Sequence, residues 1–173
     1  MTPNTIIRRA PTITLLLALI AFAGIAPLSW AKATVSRPFS GACQTRFQVL
    51  SPSGTFPLQL HIDSQCNFSH LGLTVGSTSQ TVVPAGSQVG QTLPLLISNS
   101  TTYRAANGDL LDAVFAGGGA LDLVTGDVTF SGKEIFNGGT GRFADASGGD
   151  TLEGSASNAN STGEFTVRGT LNY

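Results

Sequence analysis

Charge is scarce in this chain. Only 11% of its 173 residues are Asp, Glu, Lys or Arg, against about a quarter in an ordinary soluble domain. Helix-rich folds cover their exposed faces with Lys, Glu and Ala, so this composition argues against them. No window holds an apolar repeat of helical period over three turns. Histidine is limited to His61 and His70, and cysteine to Cys43 and Cys66. Two histidines without a free cysteine make no zinc pattern. The G-x-S-x-G elbow of a serine hydrolase is absent. No metal and no cofactor is therefore expected. Beyond the first 33 residues no stretch is long and apolar enough to cross a membrane as a helix.

Glycine, in contrast, is abundant at 21 residues, and Ser and Thr accompany it. Such a chain points to short strands joined by many turns. Its one long apolar stretch lies at the start. Residues 1–33 have the three parts of a secretory signal: Arg8 and Arg9, an apolar run from Thr12 to Ala26, and the small-x-small site Ala31-Lys32-Ala33. That places the mature start at Thr34 and leaves one domain, residues 34–173, large enough for a real core. The address is secreted or periplasmic, with no membrane span after cleavage. Six basic and ten acidic residues then remain, a net charge of −4. Dispersed basic residues on an acidic chain leave no electrostatic footprint for nucleic acid. In an oxidising compartment Cys43 and Cys66 are expected to form a disulfide across the first strands.

From residue 44 onward the pattern is period two with turn signals between. Thr45, Phe47 and Val49 alternate with Gln44, Arg46 and Gln48, and Phe56, Leu58, Leu60 and Ile62 alternate with Pro57, Gln59, His61 and Asp63. A long loop is predicted from Pro84 to Pro94. Asn107-Gly108 signals a hairpin turn. The next strand is predicted over Asp109–Ala116, ended by Gly117-Gly118-Gly119. Further strands follow near residues 120–124, 128–136, 150–156 and 164–173. Eight or nine strands in 140 residues mean a sandwich or a closed barrel.

A few side chains stand out from this pattern. Glu134 shares parity with Val128, Phe130 and Phe136, so an inward-facing strand would make it an acid among apolar groups. Desolvation there suits a carboxyl to proton transfer; a turn to solvent or a pair with Arg142 is the structural alternative. His70 shares parity with Cys66 and Phe68, as an inward acid or base or as a structural hydrogen-bond donor. Asp109 poses the same question as Glu134 but sits beside the hairpin turn. Asp145 and Asp150 flank glycines without a calcium-loop pattern. Gly139 to Ala144 fits the formula GxGxxA, yet no helix follows to receive a pyrophosphate. The sequons at Asn67, Asn99 and Asn160 matter only in a glycosylating host.

The segment Gly138-Gly139-Thr140-Gly141-Arg142-Phe143-Ala144-Asp145-Ala146-Ser147-Gly148 resembles the GGTGxFxxAxG motif of the allene oxide cyclase and dirigent superfamily, and looks most like its secreted bacterial members. Ser69-His70-Leu71-Gly72 and Ala106-Asn107-Gly108-Asp109 are similar to weaker signatures of that group. The resemblance covers about Tyr103 to Tyr173. It implies an all-β antiparallel closed barrel of about eight strands with an apolar interior, and a homo-oligomer, a trimer in the plant relatives. Those relatives steer reactive apolar intermediates. No catalytic residue of theirs maps onto this chain. Physically, Gly138, Gly139 and Gly141 suit positive φ in a turn, Gly148 a bulge or close approach, and Phe143 one end of the barrel.

Three functions fit these features. One is a barrel binding a small apolar molecule among Phe47, Leu58, Leu60, Phe115, Phe130, Phe136 and Phe165. A second is an isomerase or cyclase using Glu134, with His70 as a further acid–base candidate. The third is a structural or surface-interaction protein whose barrel is solid.

Overall fold

Strict alternation along the chain closes into a cylinder. The computed structural model describes residues 34–52 and 54–173. The proposed signal segment, residues 1–33, lies outside the described residues. The strands are β1 Ser36–Val49, β2 Leu58–Phe68, β3 Gly72–Pro84, β4 Thr92–Arg104, β5 Leu110–Asp122, β6 Asp127–Gly139, β7 Ser147–Ser157 and β8 Thr162–Asn172. Each pairs antiparallel with the next, and β8 returns to pair with β1 along its length. Closure satisfies the backbone of every strand and leaves no free sheet edge. The expected all-β antiparallel barrel of eight strands is the observed fold.

Period-two burial sorts the side chains. Inward positions carry Phe39, Leu60, Phe68, Val82, Leu95, Ile97, Tyr103, Phe115, Phe136, Leu152 and Val167, all buried. Outward positions carry Gln44, Arg46, Asp63, Lys133, Glu153, Glu164 and Arg168, all exposed. A few apolar side chains interrupt this outer wall, including Leu73, Val75, Leu96 and Ile135.

The two ends of the barrel differ. One end is closed by aromatic packing. Phe39 meets Phe68 and Phe136 at 5.1 Å between ring centroids, and Phe68 meets Tyr103 edge-on at 5.2 Å. Beyond them Phe143 is fully buried against Tyr173 at 5.3 Å, with the Arg142 guanidinium 4.6 Å above the Phe143 ring. Full burial of such a ring contributes about 1.5–3 kcal/mol, and each well-oriented pair about 0.5–1.5 kcal/mol more. The other end, ringed by Phe47, Leu58, Leu93, Leu121, Val128 and Phe130, is only half-buried.

Several boundaries differ from the sequence expectation. The triple glycine does not end a strand. β5 runs through Gly117-Gly118-Gly119 to Asp122, because Gly117 and Gly119 face inward and leave room that neighbouring side chains use. A β-carbon on Gly117 would collide with the Phe115 ring and the Ser131 carbonyl, and one on Gly119 would press on Ile97. The long loop is shorter than expected, since β3 continues to Pro84 and β4 starts at Thr92. Phe56 precedes β2 and is exposed at the open end, and Val49 is exposed where β1 ends. Of the two roles expected of Gly148, a bulge or a close approach, the bulge lies at Gly138. The β5–β6 register jumps from Leu111↔Gly139 to Ala113↔Phe136, and Gly138 takes the extra position at φ 89°. The β7–β8 register is continuous through Gly148, whose β-carbon would strike the Thr170 carbonyl, so Gly148 serves close approach alone.

Cys43 and Cys66 are bonded, as expected, across directly opposed positions of β1 and β2. With 23 residues between them, the chain-entropy estimate gives roughly 3 kcal/mol. Reduction should therefore lower the melting temperature by about 6–12 °C, at 2–4 °C per kcal/mol for a chain of this size. The glycine argument gives a sharper test. Gly117→Ala should cost about 1–3 kcal/mol through overpacking. Its neighbour Gly118 has only an ordinary 3.6 Å contact at the β-carbon position, so Gly118→Ala should stay within about 0.5 kcal/mol of the parent. Urea melts of the two variants decide it, and equal losses would contradict the packing argument.

Candidate functional site

A cavity of about 130 Å³ occupies the half of the barrel that the aromatic rings leave unfilled. Its wall is mostly apolar, and Phe47, Leu58, Leu60, Phe115, Phe130 and Phe165 of the expected lining are all on it. Phe136 is not. It lies 5.1 Å from Phe39 in the packed end, because the inward positions of β6 approach that end as they run from Val128 to Phe136. The barrel is thus hollow on one side of its waist and solid on the other.

Polar side chains collect where the two halves meet. Ser64 of β2, Thr78 and Gln80 of β3, Asn99, Thr101 and Tyr103 of β4, and Glu134 of β6 all line the cavity. Four of them form a directed chain. Thr78 and Thr101 share a hydrogen bond of 2.9 Å, the Thr101 hydroxyl donates to Asn99 Oδ1 at 3.3 Å, and the Asn99 amide donates to Gln80 Oε1 at 3.4 Å. Beside this seam the Tyr103 hydroxyl donates to the Glu134 carboxylate, 3.1 Å from Oε1. Buried polar groups normally find such partners. Three atoms here do not: Ser64 Oγ and both carboxylate oxygens of Asp150.

Glu134 faces inward, 2% exposed. Asp150 sits directly opposite it on β7, also buried and facing inward. Neither carboxyl has an ion-pair partner among the described residues. Burial pushes the Glu134 carboxyl up to about 8; the Asp150 charge adds to the rise and the Tyr103 hydroxyl opposes it. Burial also pushes Asp150 up to about 7. The Tyr103 hydroxyl is held well above its ordinary value, first by burial and then by the Glu134 charge. Desolvation disfavours a lone buried carboxylate, and a second one alongside makes double ionisation harder still.

The other candidates lie elsewhere. His70 is exposed in the β2–β3 turn at φ 68°, with Nε2 3.0 Å from the Pro38 carbonyl oxygen. The inward acid–base placement does not hold for it, because β2 ends at Phe68 and the parity breaks in the turn. Arg142 does not reach Glu134. It donates to the His70 carbonyl at 2.7 Å and lies 3.9 Å from Asp109. Asp109 in turn accepts from the Asn107 amide at 2.7 Å and from the Arg142 backbone, which makes it a latch of the closed end. Gly141, at φ 57°, leaves the space that the Asp109 carboxylate fills. Sequence reasoning passed over Tyr103, Ser64 and the Thr78–Gln80 seam, and weighed Asp150 only as a calcium ligand. Parity was the available signal: Asp150 matches Leu152, and Tyr103 matches Ile97 and Leu95.

The buried pair ties stability to pH. Both carboxyls bind protons more tightly in the folded chain than in the unfolded chain, where values near 4 hold. This contribution to stability is complete below about pH 4 and is lost as pH rises toward about 8. The melting temperature should fall between about pH 5 and pH 8. Glu134→Gln and Asp150→Asn should each flatten that fall and raise the melting temperature at about pH 8 by roughly 3–10 °C. Thermal scans across the range test this, and a melting temperature that climbs toward pH 8 in the parent would refute it.

No family model matches the chain, and no curated protein matches it. Among solved structures a similar one is Ail, the attachment invasion locus protein of Yersinia pestis, at 13% identity over 80% of this chain and 96% of that chain, with a TM-score of 0.20. A likeness of that size says nothing about what this chain does. The resemblance to the allene oxide cyclase and dirigent superfamily is corrected by these findings: no model of that family matches, and the similar structure is not a member of it. The trimer and the steering of reactive intermediates had only that resemblance behind them. The Gly138–Gly148 segment reports local geometry instead, namely a bulge, a tight turn over Asp109 and a close strand approach.

Proposed function

We propose that the protein is an extracytoplasmic binding barrel that admits a small, mostly apolar molecule through its open end and meets it with hydrogen-bonding groups at the waist. The disulfide supports an oxidising compartment outside the cytoplasm, with the secreted or periplasmic address resting on the signal-like segment. The observation that carries the binding function is the cavity, about 130 Å³ with an apolar wall and a polar base. Ligand sites typically combine such a wall with a few convergent polar groups. The volume sets the guest's size, since an apolar cavity of about 150 Å³ holds a benzene.

The two faces of the wall support a barrel surrounded by water. A membrane-spanning barrel turns its apolar side chains outward to lipid and its polar ones inward. Here Arg46, Asp63, Lys133, Glu153 and Arg168 point outward, and Leu60, Ile97, Phe115 and Leu152 point inward. The packed aromatic end favours a second function, a solid scaffold acting through its outer surface.

Titration of the isotope-labelled protein with benzyl alcohol separates the two. The binding function predicts saturable shifts at Leu58, Leu95 and Phe130 with a Kd of about 0.1–1 mM, ordinary for so small a guest. Leu58→Trp, which plugs the mouth, should abolish them without unfolding the barrel. Shifts confined to the outer wall, or none with any apolar probe of this size, would leave the scaffold function standing.

A further inference from the structure

We propose that the waist of the cavity selects a cationic head, so that the preferred guest is a small apolar amine held as its ammonium by Glu134, with Asp150 behind it. This rests on the binding function above and names its ligand class.

Three observations converge on an ammonium. First, the acceptors are in surplus. Ser64 Oγ lines the cavity, is 4% exposed and has no hydrogen-bond partner. Glu134 lines it too and accepts only from Tyr103. Asp150, one strand over and 6% exposed, accepts from nothing. An ammonium brings three donors and no acceptor, which is the complement of that set.

Second, the charges near this base are all of one sign. The groups facing Glu134 are Phe115 from β5, Asp150 from β7 and Tyr103 from β4. Every described Lys and Arg is exposed, on the outer wall or at a barrel end. A bound cation gives whichever carboxyl is ionised a counter-charge in a medium where Coulomb interactions are strong. A fatty acid or other carboxylate would bring a negative charge to a place lined by acids, with no inward-facing Lys or Arg among the described residues to meet it.

Third, the shape matches a short body with one polar tip. Apolar side chains wall the outer part of the cavity, and Glu134 and Ser64 lie at its inner end. A ring or short alkyl chain of about benzene size fills the wall, and its single substituent reaches the waist.

Benzylamine, benzyl alcohol and benzoate share one ring and differ in the head, so they make the test. Calorimetry with the purified protein at neutral pH should rank them amine, alcohol, then benzoate, with the amine favoured over the alcohol on the order of ten-fold, as a buried charge-assisted contact allows. In Glu134→Gln that preference should collapse to about two-fold or less while benzyl alcohol still binds. Asp150→Asn should reduce the preference by a smaller factor, and folds independently of the Glu134 change. Acidification should weaken amine binding to the parent, because Glu134 and Asp150 take up protons, and should leave benzyl alcohol unmoved. Equal binding of amine and alcohol, tighter binding of benzoate, or a preference that survives both substitutions overturns the cationic selection while the binding function stands. Failure of all three probes to bind overturns both.

Discussion

An eight-stranded barrel encloses barely enough space for its own side chains. That fixed volume governs the rest of this molecule. Every inward residue competes for it, and the chain distributes it by setting glycines opposite large groups. Phe130 and Phe165 both lie across from Gly154, and Phe130 also faces Gly119. Phe68 faces Gly41 and Gly72 on its two neighbours. Where such relieved rings converge on one another, as at Phe39, Phe68, Tyr103 and Phe136, the barrel is solid. Toward the opposite mouth the side chains, Phe47, Phe130 and Phe165 among them, do not meet across the lumen, and a cavity remains. Hollow and solid halves are thus outcomes of one packing constraint rather than separate designs.

The same constraint explains what could be read from sequence and what could not. Alternation in Val128–Phe136 is strong, so the inward direction of Glu134 was legible from its own strand. Asp150 has the same geometry on β7, but its neighbours there are Gly148, Gly149, Thr151 and Gly154. With Gly148 and Gly154 at inward positions, Leu152 is the one large apolar side chain marking that face of β7, and a single residue makes a weak period. Tyr103 was hidden differently. Its strand alternates Leu95 and Ile97 with Ser98 and Ser100, then switches its inward positions to Asn99 and Thr101, so the polar seam breaks the pattern that would have revealed it. The triple glycine misled for a third reason. Glycine signals a turn through its backbone freedom, whereas Gly117 and Gly119 are used for the side chain they lack.

A motif of four glycines around an aromatic residue is exposed to a related ambiguity. In this chain Gly138 takes a bulge, Gly141 clears the Asp109 carboxylate, Gly148 lets β8 approach and Phe143 plugs the end. Each of those needs comes from the local geometry of the closed end, where a 3-10 turn, Gly141–Phe143, joins β6 to β7. Residue types demanded by such local geometry recur without common descent, so they constrain shape far more than activity.

The polar waist then follows from where the hollow stops. A carboxyl at the mouth would be solvated and unremarkable, and one among the Phe39 and Phe136 rings would have no partner at all. At the boundary, Glu134 keeps one donor in Tyr103 and one open side toward the cavity. Burial and the second acid on β7 raise its proton affinity, so the site sits between neutral and charged near neutrality. A structural role would be better served by an apolar pair of the same volume, since buried charges rarely repay their desolvation. Two buried acids, an orphaned Ser64 hydroxyl and an unfilled apolar space in one place are costly separately. Together they are the arrangement that a guest with donors to offer would complete.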